Sequence, residues 1–309
     1  MEKYIAKNID MTQFNLDHIF DCGQCFRWEK QADGSYTGIA FGKVVNMKME
    51  SPNANSNGNG NSNVNINDGC GGDCDCGGDC DCACGCGDLV IDNCTCEDFT
   101  NIWRRYLDLD RDYNQIKQGL SGRDKTIYKA MDYGYGIRIL KQDLWETIIS
   151  FIISQNNNIP RIKGCIENLA KNFGEVADTY KGKIYYNLPS PEKLASLTIE
   201  DLAPVRLGYR AKYLIETAKL VLADGMPYDI DSLSCLCGVG PKVANCVSLF
   251  GLANYDSFPI DVWVKRVMFT LYNIDEKNVK EMQNFATENF SPYGGIAQQY
   301  LFYYMRSIN

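Results

Sequence analysis

The stretch Leu236-Cys-Gly-Val-Gly-Pro-Lys242-Val-Ala-Asn-Cys246 leaves this chain few ways to fold locally. Two glycines separated by one residue favour a tight turn, Pro241 suits the first turn of a helix, and Gly251 suits its end. A helix opened by such a turn aims the backbone N–H groups of Gly238, Val239 and Gly240 at one point, an arrangement that binds a phosphate without a basic side chain. Lys242 and Cys246 lie four residues apart and share one face of that helix. Asp261 follows Pro259-Ile260 and precedes Val264, Val267, Met268 and Leu271, which fall on one helical face. Its carboxylate is therefore predicted to cap a second helix and to be fixed in direction.

Taken singly, a Gly-x-Gly turn or a helix-capping aspartate is usually structural. A phosphate cradle, an amine behind it and an oriented carboxylate together fit an enzyme that grips a nucleic-acid backbone and attacks a sugar carbon with lysine. An amine must be neutral to attack, and a side chain of pKa near 10.4 is neutral at pH 7 only about four times in ten thousand. Burial favours the neutral form, whereas a neighbouring carboxylate disfavours it. The role that suits Asp261 is thus to stabilise positive charge growing on the sugar as a base departs.

These residues carry a family resemblance. Leu-x-Gly-Val-Gly-Pro-Lys-Val-Ala followed by Pro-Ile-Asp-Val resembles the helix-hairpin-helix DNA glycosylases, and the lysine form resembles members that also cut DNA at abasic sites. Gly23-Gln-Cys-Phe-Arg-Trp28, Ser154-Gln-Asn-Asn-Asn-Ile-Pro-Arg161 and Leu207-Gly-Tyr-Arg-Ala-Lys-Tyr213 resemble, in the same order, segments of the eukaryotic-type 8-oxoguanine DNA glycosylases. The likeness runs from about residue 15 to the C-terminus, interrupted near 50 to 90. It implies Lys242 as nucleophile and Asp261 as its electrostatic partner. It also implies that the Gly23 carbonyl meets the N7–H of 8-oxoguanine, Gln298 meets the pairing edge, and Phe302 and Cys246 cover the two faces. Asn156, Arg161 and Arg210 would hold the orphaned cytosine, with Tyr209 wedged into the stack. The implied partner is double-stranded DNA containing 8-oxoguanine, bound by a monomer. Trp263 stands where eukaryotic members carry histidine, and the sole histidine, His18, reads as structural.

An α+β fold is expected. Residues 1–100 alternate polar and apolar positions around turns, as in Ser35-Tyr-Thr-Gly-Ile-Ala-Phe, which predicts an N-terminal antiparallel sheet. Residues 101–309 read as a helical body. Leu144, Ile148, Phe151 and Ile152 share one face, and Ile162, Ile166, Leu169 and Phe173 share the next, between Pro160 and Gly174. Residues 51–88, rich in Asn, Gly, Asp and Cys, lack the apolar content for a core and are expected to be a disordered insertion.

The net charge of −8 is unusual for a chain that binds DNA, whose affinity normally rests on basic side chains. Six of those charges are the aspartates at 68, 73, 75, 79, 81 and 88 within the insertion, so the rest of the chain carries only −2 and can still present a local basic face. Seven of the 15 cysteines fall within 70–86, several as Cys-x-Cys, which does not match the paired Cys-x2-Cys of a zinc ribbon. No cysteine follows Cys246, so the iron–sulfur spacing of endonuclease III relatives is missing. We therefore expect no metal site and no cofactor. No apolar run approaches the roughly 20 residues needed to cross a bilayer, and the first residues lack a signal-peptide core, so a cytoplasmic, chromosome-associated protein is expected. The alternatives are a hairpin glycosylase of another base specificity, a non-catalytic hairpin module, which has no use for Lys242 with Asp261, and a metal-storage protein resting on residues 70–86 alone.

Overall fold

A computed structural model describes residues 2–50, 65–66, 85–122 and 124–308. Its N-terminal part is a six-stranded sheet: β1 (Lys3–Asp10), β2 (Trp28–Lys30), β3 (Tyr36–Ala40), β4 (Lys43–Glu50), β5 (Asn65–Ile66) and β6 (Cys86–Asp92), in the spatial order β2-β3-β4-β6-β1-β5. All neighbours are antiparallel except β5, which runs parallel to β1. One sheet face buries Tyr4, Trp28, Val45, Met47, Leu89 and Ile91 against Phe20, Phe99, Trp103 and Tyr106.

The structure shortens the predicted insertion. Glu50 pairs with Asp88, and Cys86 pairs with Asp10, so residues 86–88 belong to the sheet and not to a loop. Leu89-Val90-Ile91 is an apolar run suited to a strand, whereas the Cys86-Gly-Asp start continues the composition of the preceding repeat. Most of the cysteine-rich stretch, residues 70–84, lies outside the described residues.

Two further elements depart from the predicted division. A short helix, Leu16–Asp21, stands inside the sheet region, capped by the Asn15 side chain. A hairpin, Val176–Tyr180 with Lys183–Tyr186, stands inside the helical body. Its turn residues Lys181 and Gly182 both take positive φ, 48° and 81°, which matches the twist of a two-residue hairpin loop.

The helical body follows the predicted faces. Leu144–Ser154 buries Ile148, Phe151 and Ile152, and Ile159–Phe173 buries Ile162, Ile166 and Leu169, with Asn158 capping its start and Gly174 at its end. Helix Pro241–Phe250 packs on Leu144–Ser154, and the last helix, Gly294–Ile308, packs on Val262–Tyr272. These four helices surround one cleft. Among the described residues no helix is long and apolar enough to cross a membrane.

Candidate active site

The hairpin forms as the glycines predict. Helix Ile230–Ser234 leads into a turn in which Gly238 has φ of 76°, and Gly240 precedes helix Pro241–Phe250 without a side-chain cap. Gly240 therefore offers the leading N–H groups of that helix no side-chain cap, as the sequence predicts for an anion cradle. Val239 is buried and anchors the turn. Gly238 is required twice over, because a Cβ there would come within 2.3 Å of the Tyr213 ring in addition to the positive φ.

Six residues scattered through the sequence converge on a single cleft: Gly23, Lys242, Cys246, Asp261, Gln298 and Phe302. Lys242 is half-buried; its Nζ donates to Ser154 Oγ at 3.5 Å and sits 5.3 Å from the centre of the Phe151 ring. Asp261 caps the helix Val262–Tyr272, its Oδ1 accepting the Val264 N–H at 2.8 Å. Burial pushes the Asp261 carboxyl up from the usual carboxylate range, opposed by the Val264 N–H and by the Lys242 ammonium. Burial likewise raises the Cys246 thiol, opposed by Lys242, so the sulfur beside the lysine stays a neutral thiol and not a rival nucleophile.

A pH dependence follows from Asp261. In the role that the sequence predicts for Asp261, the ionised carboxylate is the form that stabilises a cationic sugar, so base release is expected to fall as pH drops through its raised pKa. The acid limb of a single-turnover pH profile should therefore centre above the ordinary 3.8. A limb centred at or below 3.8 would count against this role. The folded state carries the raised value, so ionising Asp261 works against stability as pH rises through that window.

Gly23 takes φ of 78°, and the Phe302 ring lies 3.3 Å from where its Cβ would be. About 50 Å³ remains free in the cleft, room for a water or two at about 30 Å³ each but not for a purine. A base between Phe302 and Cys246, as the resemblance implies, would need more room than the cleft offers with Phe302 against Gly23. An ion pair between Arg306 and Asp21 ties the last helix to the segment that presents Gly23.

Of the residues that the resemblance assigns to the orphaned cytosine, Asn156, Tyr209 and Arg210 meet at the turn that follows Ser154. Asn156 has φ of 45°, and its Nδ2 donates to the Tyr209 hydroxyl at 3.3 Å. Tyr209 is 48% exposed and meets Tyr213 edge-on at 5.5 Å, an arrangement suited to a wedge. Arg161 is exposed, its Nη2 reaching only the Arg206 carbonyl at 3.5 Å. Arg210 differs from expectation. It is 4% exposed, and its guanidinium donates to the carbonyls of Gln155, Asn156 and Leu207, so it holds the Asn156 turn and is not offered to a base. Spacing could not reveal this, because two of the three carbonyls, those of Gln155 and Asn156, come from a segment more than 50 residues away. Trp263 is stacked under Arg266, 5.0 Å away, and His18 is bound to the Tyr135 carbonyl at 2.6 Å, in keeping with a structural histidine.

Cys22, Phe151, Phe250, Pro259 and Gln299 also line the cleft and were not predicted. Phe151 and Phe250 stack at 5.4 Å and read from sequence as ordinary core residues of apolar helices. Gln299 left a signal, since two adjacent glutamines interrupt the apolar run Ile296-Ala-Gln-Gln-Tyr-Leu-Phe302.

The hairpin, the lysine and the capping aspartate define a class. Residues 149–292 match the HhH-GPD superfamily of base excision DNA repair proteins, and residues 7–148 match the 8-oxoguanine DNA glycosylase N-terminal domain. The solved 8-oxoguanine glycosylase/lyase of Clostridium acetobutylicum, in complex with double-stranded DNA containing cytosine opposite 8-oxoguanine, is 39% identical with a TM-score of 0.81, covering 99% of this chain and 98% of that one. The N-glycosylase/DNA lyase of Saccharomyces cerevisiae is 40% identical over 171 residues, 48% of this chain, and the chain spans just under half, 46%, of that relative's length. A probable N-glycosylase/DNA lyase of Methanothermobacter thermautotrophicus is 31% identical over 212 residues, 59% of this chain and 68% of the relative. The chain belongs to the 8-oxoguanine DNA glycosylase family.

Proposed function

We propose that this protein excises 8-oxoguanine paired with cytosine from duplex DNA and then cuts the strand at the resulting site. The observation that carries the proposal is the convergence of Lys242 and Asp261 with Gly23, Gln298 and Phe302 on one cleft. The C1′ of a stacked nucleotide is shielded, so the damaged nucleotide must leave the helix to reach that cleft. The N–H groups at the start of helix Pro241–Phe250 hold a backbone phosphate. Lys242 Nζ attacks C1′, the glycosidic bond breaks with its electron pair leaving on the base, and opening of the sugar ring gives an imine. Asp261 stabilises the sugar cation on the way. The imine acidifies the C2′ protons, and loss of one expels the 3′ phosphate by β-elimination. The test is incubation with an 8-oxoguanine:cytosine duplex in the presence of borohydride, which should reduce the imine to a stable protein–DNA adduct. Cleavage of the lesion strand without any adduct would overturn the lysine route.

Selection of cytosine falls to Arg161, because Arg210 is already committed to backbone carbonyls. A guanidinium can donate to the O2 and N3 acceptors of an unpaired cytosine, whereas adenine offers a different pattern. Arg161→Ala is expected to lower the preference for cytosine over adenine opposite the lesion by about tenfold to a hundredfold, about 1–3 kcal/mol. An unchanged ratio of single-turnover rates on the two duplexes would remove Arg161 from this role.

A further inference from the structure

Gln298 and Gln299 are 3% and 4% exposed and both line the cleft. Gln299 Nε2 donates to Gln298 Oε1 at 2.8 Å, while Gln299 Oε1 is buried with no hydrogen-bond partner among the described residues. The Gln299 amide is therefore held at the cleft with its carbonyl end unpaired among the described residues. A carboxamide has an accepting end and a donating end. On a base edge it matches either a keto group beside a ring N–H, as in guanine, or an amino group beside a bare ring nitrogen, as in adenine. Which edge it matches depends on which end is where. Gln299 donates to the Oε1 end of Gln298 and so holds that end in place; the second lone pair of this oxygen can still accept a ring N–H, and the amino end is left to meet a keto oxygen beside it.

We propose that Gln299 is a positioning residue for base specificity, fixing the Gln298 amide in the orientation that reads a 6-keto edge. This rests on the reading of Gln298 as the residue that meets the flipped base. The experiment compares single-turnover excision of 8-oxoguanine and 8-oxoadenine, each opposite cytosine. The two lesions share the 8-oxo group and N7–H and differ at the pairing edge. The ratio within one variant also cancels any general loss of folded enzyme. Q299L, which leaves the Gln298 amide free to turn, should lower the 8-oxoguanine preference about tenfold. Q299E, whose carboxylate only accepts, should turn Gln298 end for end and lower the preference further, toward 8-oxoadenine. A simple packing role predicts no such order. Ratios for both variants within twofold of wild type overturn the proposal, as does Q299E retaining more preference than Q299L. Borohydride trapping of the wild type on a duplex with a preformed abasic site, which holds no base to read, tests the Lys242 reading separately. Failure there would count against that mechanism, and only the altered ratios bear on Gln299.

Discussion

Lys242→Gln is expected to abolish base excision and borohydride trapping while binding to lesion-containing duplex persists. Glutamine is one bond shorter than lysine but has nearly the same helix propensity, so helix Pro241–Phe250 and the N–H groups at its start should be unaffected. The amide nitrogen cannot form an imine. The one hydrogen bond of the amine, to Ser154 Oγ at 3.5 Å, is long, and its loss should change stability by no more than about 0.5 kcal/mol. Single-turnover excision should drop by about a thousandfold or more, because no other nucleophile in the cleft is ready to take over. Cys246, the nearest candidate, is held as a neutral thiol by burial. A Gln variant that cut the lesion strand at the wild-type rate would show that Lys242 is not the nucleophile.

Gly238→Ala should be the most damaging single methyl in the hairpin. The residue has φ of 76°, which costs an alanine about 1–2 kcal/mol, and the added carbon would fall 2.3 Å from Tyr213 Cδ2 and 2.4 Å from Cγ. Those are atoms at the root of the ring, so the whole tyrosine must move. Strain and overpacking together predict a loss of about 3 kcal/mol, or roughly 5 °C in melting temperature for a chain of this size. Tyr213 also packs edge-on against Tyr209, so the displacement should carry through to the exposed ring beside the Asn156 turn. Binding to duplex should weaken along with the fold. Gly240→Ala provides the contrast: its φ is −87° and nothing lies near its missing Cβ, so it should cost much less. Equal melting temperatures for the two variants would contradict the steric account.

The chemistry of the site was legible because it depends on short-range rules. A Gly-x-Gly turn, a proline at the first helical position and an aspartate before an apolar helical face each dictate local geometry, and Pro241–Phe250 and the Asp261 cap form as those rules require. The helix faces at 144–154 and 159–173 were legible for the same reason, since their period reflects which side is buried. The hairpin at 176–186 leaves little trace in the sequence beyond the Lys181-Gly182 turn signal, because strands of five and four residues between helices are too short to set a period of their own.

By itself the sequence determined the helix-hairpin-helix, the amine behind its turn and the direction of the aspartate, since each is set by residues within a few positions of one another. Only the tertiary structure decided that Gly23 and Phe302 close against each other, that the Arg210 guanidinium is spent on the carbonyls of Gln155, Asn156 and Leu207, and that Gln299 holds the amide of Gln298 at the cleft. Whether a side chain is free for a ligand depends on which acceptors and rings the packing brings to it. Most of those come from distant segments, and even the adjacent Gln298 and Gln299 meet only because the fold buries both amides at the same cleft, so local sequence rules do not contain them.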